Sequence, residues 1–222
     1  MKYVALFFVC MLVVACTDDS SSAPEEPVDT FDASVVCPEN LRGTFTDTRD
    51  GQVYKYTTIG NQVWMAENLK FNAPYSLCYG KIEGFCDTFG RFYSLHENGE
   101  DLGHFDQELL DTICPAGWHV PSVDEWSVLS NNMGGGGKAV SRLSSSENFG
   151  ESYEVGSDDC GFNSLPAGSW LLNGNLSIEY VGSLYWTSTA MPINSSYCSR
   201  LSISGIGFVI SDPKMSLRCV KN

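Results

Sequence analysis

Basic side chains are scarce in this sequence: 13 Lys and Arg stand against 27 Asp and Glu, a formal net charge of −14. A surface of that sign repels phosphate backbones, so nucleic acid is excluded as a partner. Histidine is scarcer still. His96, His104 and His119 are too scattered to form a local ligand motif. No cysteines stand as C-x-x-C, and the His/Cys spacings do not match a zinc site. A glycine-rich phosphate loop is missing, and neither Ser164 nor Ser188 lies in a G-x-S-x-G elbow, which removes two common enzyme signatures. No apolar run reaches the roughly 18–20 residues of a membrane span, and there is no internal repeat.

What is present begins with an export signal. Lys2 precedes an apolar run, Val4 to Ala15, of signal-core length, and Leu12-Val13-Val14-Ala15-Cys16 resembles a bacterial lipobox. The expected boundaries are a signal peptide over 1–15, then a lipidated Cys16 with an acidic linker over 16–40, then one domain over 41–222. Acylation at Cys16 makes the membrane a partner through the lipid, since each buried CH₂ adds about 0.8 kcal/mol. The expected place is the outer membrane, at the cell surface. Residues 17–34 are rich in Ser, Pro and acid with little to bury, so they are expected to stay disordered. Residues 1–34 hold six of the acidic and one of the basic side chains. The remainder keeps 21 and 12, a net charge of about −9.

Within the domain, the stretch Cys114 to Leu129, CPAGWHVPSVDEWSVL, is the organising feature. Pro121 ends the extended Trp-His-Val. Ser122 as N-cap and Glu125 three residues on form a capping box, and Asp124 and Glu125 complement the helix dipole. Trp126, Leu129 and Met133 fall on one apolar face, predicting one main helix over about 122–133 that stops at Gly134–Gly137. A second short helix is predicted at 138–143. Around them the pattern is of short strands and turns: 43–46 and 52–59 joined through Asp50-Gly51, then 62–68, 89–95, 162–165, 169–172, 176–178, 184–189, 197–202, 208–211 and 215–220. Residues 97–111 read as a polar excursion with one helical turn near 107–110. Many short strands beside few helices predict an α+β, loop-rich domain.

Seven cysteines follow Cys16, at 37, 78, 86, 114, 160, 198 and 219, and an exported chain oxidises them. Six cysteines already allow 15 pairings, so spacing alone does not decide connectivity. The expected bridges are Cys78–Cys86 as a local clasp, Cys114–Cys219 tying the central loop to the last strand, and Cys160–Cys198, with Cys37 left over. Among site candidates, Asp158-Asp159 before Cys160-Gly161 suits a hard cation such as calcium, although an exposed acidic turn explains it more simply. No metal or other cofactor is therefore assigned. Asp47, Asp50 and Gly51 miss the calcium-loop spacing and fit a hairpin. His119, between Trp118 and Val120, reads as a packed, hydrogen-bonded histidine. Of Trp64, Trp118, Trp126, Trp170 and Trp186, Trp126 is core, while Trp170 and Trp186 are the better placed to stack on sugars, although core packing explains them more simply.

Several stretches together resemble the Fibrobacter succinogenes major paralogous domain family. They are TFTDTRDGQVY (44–54), IGNQVWMAENLKF (59–71), CYG (78–80), FGRFY (89–93), ICPAGWHVPSVDEW (113–126), GFNSLPAG (161–168), YWTST (185–189) and SLRCVKN (216–222). The resemblance implies a secreted or surface lipoprotein domain of unestablished biochemical function, and it brings no catalytic residues. PSVDEW and LRCV also resemble formylglycine-generating enzymes and their C-type-lectin-like fold, which implies that both ends of the domain meet in one small sheet. The cysteine pair of those enzymes has no counterpart beside Cys198, and the lectin calcium patterns are missing. The expected function is non-catalytic binding or adhesion to a glycan or surface protein, with Trp170, Trp186, Asp158 and Asp159 as the ligand-binding candidates. The alternatives are an extracellular enzyme distantly related to formylglycine-generating enzymes and a purely structural surface protein.

Overall fold

A computed structural model describes residues 28–78, 83–96, 106–149, 155–171, 175–177, 183–190, 196–202, 205–210 and 214–222. The expected signal, Cys16 and the first part of the expected linker therefore lie outside the described residues. β1 (Gly43–Thr46), β2 (Val53–Ile59) and β3 (Gln62–Met65) form an antiparallel meander. Its first turn is set by Asp50-Gly51, where Gly51 takes φ 77° and donates to the Asp47 carbonyl at 2.8 Å. Asp47 is buried, and Arg49 grips its carboxylate while donating to the Thr112 and Ile113 carbonyls at 2.8 and 2.9 Å. This hairpin is thus fastened to the C-terminal end of the helix over Gln107–Thr112, just before Cys114. β13 (Val220–Lys221) pairs with β3, and β6 (Trp118–His119) pairs with β13, completing a sheet ordered β1-β2-β3-β13-β6.

A second sheet runs β11-β10-β9-β12-β5-β4. Its members are β4 (Leu77–Cys78), β5 (Arg91–Tyr93), β9 (Ser183–Ala190), β10 (Ser196–Ser202), β11 (Gly205–Ile210) and β12 (Lys214–Ser216). β7 (Ser169–Trp170) and β8 (Leu176–Ser177) join it beside β12. Among the described strands, pairing in this sheet is antiparallel except that of β12 with β9. The single strand expected over 215–220 is two, one in each sheet, because the chain crosses between the sheets at Leu217–Cys219. The strand expected at 162–165 is not formed; only an isolated bridge links Ser144 to Ser164.

After two short helices, α2 (Cys86–Phe89) and α3 (Gln107–Thr112), α4 (Val123–Asn132) begins where its sequence signal lies. Ser122 Oγ accepts from the Glu125 amide at 3.2 Å, and the Glu125 carboxylate accepts from the Ser122 amide at 2.8 Å. The glycine run is split: Gly134 and Gly135 break the chain, whereas Gly136 opens α5 (Gly136–Leu143), two residues earlier than expected. Trp126 stacks on Tyr185 with ring centroids 5.3 Å apart and meets Trp64 at 4.7 Å. With Leu129, Met133, Leu143, Phe162 and Val220 they form the core under the helices. The other core lies between the sheets, around Tyr54, Met65, Trp118, Trp186, Met215 and Leu217. The fold is mixed α/β, with short helices, two sheets and three disulfides.

Those disulfides are Cys37–Cys160, Cys78–Cys86 and Cys114–Cys219. The expected Cys160–Cys198 bridge is corrected: Cys160 belongs to Cys37, which is not the residue left over. The reason lies in residues 29–40, which the sequence placed in the linker. Asp29 pairs with Arg142 and, at 3.6 Å, with Lys138 of α5. The Arg142 guanidinium lies 4.0 Å over the Phe31 ring. α1 (Ala33–Val36), N-capped by Asp32, then delivers Cys37 to the loop carrying Cys160. Apolar Phe31, Ala33 and Val36, set among the acids, bring this segment onto the core.

Candidate functional site

At the outer edge of the β1–β2 hairpin a cleft of about 300 Å³ opens against the loops after α5. Its lining joins Arg42, Gly43, Lys55, Tyr56 and Ala66 on the sheet side to Ser145, Ser146, Glu147, Asp158, Gly161 and Asn163 across from them. Paired residues of adjacent strands share a face, and the register sets Gly43 opposite Tyr56 and Thr44 opposite Lys55. One step further along, Arg42 falls diagonal to Lys55 on that same face. The Tyr56 phenol lies across Gly43, where a Cβ would come within 2.7 Å of its oxygen.

The opposite wall is held in a costly backbone conformation. Asp158, Gly161 and Asn163 take φ of 48°, 64° and 53°, a left-handed cluster that Asp, Asn and Gly tolerate best. Asp158 stabilises it by accepting the Asn163 amide at 2.7 Å. From beneath, Arg218 donates to the Phe162 and Asn163 carbonyls and, at 2.5 Å, to the Asn68 side chain. Arg218 is fully buried, and its guanidinium also lies 4.5 Å from the Phe162 ring centre. From the side, the Cys37–Cys160 bridge pins the turn. Thr57 donates to the Cys160 carbonyl at 2.6 Å, and Arg42 Nη2 to the Asp159 carbonyl at 3.0 Å. Ser145 is tied down through Ser164 and Gly156.

Burial pushes the Asp158 carboxyl above the ordinary aspartate range, a shift that the Asn163 amide and the charges of Arg218 and Arg42 only partly oppose. Burial likewise lowers the Arg218 guanidinium, with Tyr185 and Asp158 acting against it. The cleft therefore presents both charge signs, the Asn163 amide, and the hydroxyls of Tyr56, Ser145 and Ser146. Arrangement of this kind suits a ligand dense in hydrogen-bonding groups.

Residues 57–221 match the family model described as the Fibrobacter succinogenes major domain. The chain belongs to this family. No curated protein matches it, and no solved structure does. The matched region of this Fibrobacter succinogenes major domain supplies Ala66 and the 145–163 wall, whereas Arg42, Lys55 and Tyr56 precede it.

Of the ligand-binding candidates taken from the sequence, Asp158 alone lines the cleft. Asp159 turns away, its carboxylate 3.6 Å from Arg142 Nε. The two acids of the turn thus serve different partners. Among the described residues no three His, Cys, Asp or Glu side chains are grouped to hold a metal. Trp170 and Trp186 are corrected as sugar platforms: their exposures are 9% and 0%. Trp186 is drawn into the inter-sheet core, where its indole donates to the Tyr93 carbonyl at 2.8 Å. Trp170 is covered because β7 pairs with β12.

His119 is hydrogen-bonded as expected but stands at the surface, with its side chain 40% exposed. Its two ring nitrogens meet Asn222 at 2.6 Å and Glu125 at 2.8 Å. Burial opposes ionisation of Glu125, but hydrogen bonds from Ser122 and His119 outweigh it and hold the carboxyl below the usual range. Sequence reasoning missed Arg42, Lys55, Tyr56, Glu147 and Asn163. The register of the Asp-Gly hairpin carries a signal for the first three. Nothing local carries one for Glu147, which reaches the site through tertiary packing.

Proposed function

We propose that the protein is a lipid-anchored binding module of the outer membrane, displayed at the cell surface through Cys16, and that its cleft recognises glycan. The observation that carries the reading is the rigid polar cleft between Arg42–Tyr56 and Glu147–Asn163. A recognition surface has to hold its side chains still before the ligand arrives. Here a disulfide, a buried arginine and a hydrogen-bonded left-handed turn do so. Sugars offer many hydroxyls that both donate and accept. A wall bearing Asp158, Asn163, Glu147, Ser145 and Ser146 matches them better than it matches an apolar ligand. The C-type-lectin-like reading of the fold is supported by β1 and β13 sharing the smaller sheet.

The test is a glycan-binding screen of the full-length protein in detergent micelles, with Asp158→Ala beside it. Binding lost in the variant, with an unchanged circular dichroism spectrum, supports recognition at the cleft. Turnover of a polysaccharide, or no binding to any glycan, would overturn it. For the anchor, mass spectrometry of the membrane fraction should show an acylated Cys16 peptide, and protease shaving of intact cells should release the domain.

A further inference from the structure

We infer that the cleft selects carboxylate-bearing sugars, with Arg42 and Lys55 holding the carboxylate of a uronate unit while Asp158, Glu147 and Asn163 take its hydroxyls. The inference rests on the glycan reading above and narrows its ligand class.

The chain has about twice as many acids as bases, so its cations should find carboxylates readily. Four of them do: Arg49 pairs with Asp47, Lys70 with Glu67, Lys138 with Asp29, and Arg142 with Asp29 and Asp159. Arg42 and Lys55, like the buried Arg218 and the exposed Lys221, have no carboxylate within ion-pair distance among the described residues, but of these four only Arg42 and Lys55 line the cleft that also holds Glu147 and Asp158. Two cations and two acids thus surround one cavity without closing on each other.

Arg42 is moreover under-satisfied. Its guanidinium makes one hydrogen bond within the protein, to the Asp159 carbonyl, and its Nε is buried with no partner. A buried unmatched donor costs about 1–3 kcal/mol, so such groups call for an explanation. The guanidinium is nevertheless held in place. A Cβ at Gly161 would stand 3.1 Å from Arg42 Nη1, so the glycine makes room for it beside the left-handed turn.

The charge of the ligand follows from the same wall. A dianionic phosphate brought between Glu147 and Asp158 meets more repulsion than a monoanionic carboxylate does, and the domain's net charge of about −9 adds to it. A peptide carboxylate would match the cations equally well, but it would leave the acceptor-rich wall without hydroxyl donors. A uronate meets both sides.

The experiment titrates full-length protein in detergent micelles with trigalacturonate, trimannuronate and triglucuronate, with the methyl ester of each, with neutral cellotriose, and with a free-acid tripeptide. At least one uronate should bind, and its ester should bind at least tenfold more weakly. Lys55→Gln should weaken uronate binding several-fold with an unchanged melting temperature, because the ammonium has no partner in the protein. Arg42→Gln should weaken it further. Esters or cellotriose binding as well as the acids, with Lys55→Gln silent, would overturn the carboxylate inference and leave the glycan reading standing. The tripeptide outcompeting every uronate would overturn it in favour of a peptide ligand. If no saccharide of any kind binds, both readings fail.

Discussion

Cys37 is bonded to Cys160, 123 positions along the chain, with their Cα atoms 5.5 Å apart. The bridge closes a very long loop and also fixes one wall of the cleft. Cys37→Ser should lower unfolding free energy by about 2–5 kcal/mol, measured by urea titration. The three bridges use six of the seven cysteines after Cys16, so alkylation of the denatured, unreduced protein should label Cys198 within the domain. Label at Cys37 or Cys160 would refute the pairing.

Gly161→Ala is expected to act twice. The left-handed φ of 64° strains any side chain there, and the new Cβ crowds Arg42 Nη1. A loss of about 1–3 kcal/mol should accompany a displaced guanidinium. A cleft whose ligand affinity survived this substitution unchanged would not depend on Arg42.

Asp158 carries a pH signature. Its folded pKa is raised, so folding favours the protonated form. The cost of holding the carboxylate is absent below the ordinary value of 3.8 and fully present once the pH passes the folded pKa. Asp158→Asn keeps an oxygen to accept the Asn163 amide and removes that cost. The variant should therefore be more stable than the native protein at pH 7, with the gain fading towards pH 3. Ligand affinity should move the other way at neutral pH, as expected where function is kept at the expense of stability. Melting temperatures across that range, beside titrations at pH 7, provide the check.

Replacing Arg218 by Gln strips donors from the Phe162 and Asn163 carbonyls inside the protein. Charged hydrogen bonds of this kind contribute about 1.5–3 kcal/mol each, and the carbonyls left behind are buried. A loss of about 3 kcal/mol or more is expected by chemical denaturation. A much smaller loss would mean that the loop repacks without it.

The legible parts of this fold are those whose signals are local. Ser122 and Glu125 mark the start of α4 because a capping box is complete within four residues. Asp50-Gly51 marks the hairpin because the turn needs a left-handed glycine. The partner of Cys160 was illegible because it depends on the docking of Asp29, Phe31 and α1 onto α5, which acidic and serine-rich composition conceals. Burial of Trp170 and Trp186 was illegible for a related reason. β7 and β9 both lie against β12, and strand order within a sheet leaves no mark on a six-residue window. Of the cleft, the Asp158 turn was visible as a chain feature. Its opposition to Arg42 and Lys55 exists only in three dimensions.

The crossing at Leu217–Cys219 has a consequence for the order of events in the life of the chain. β12 lies between β9 and β5, and β13 lies between β3 and β6, so each sheet is bisected by strands drawn from residues 214–221. Until those residues have been synthesised, β3 and β6 have no strand between them, and Cys114 has no Cys219 to oxidise with. Assembly therefore waits for the whole domain, and the late, long-range pairings make it slow. A nascent chain that lacks them has both sheets split down the middle, and the two halves are joined in one late step.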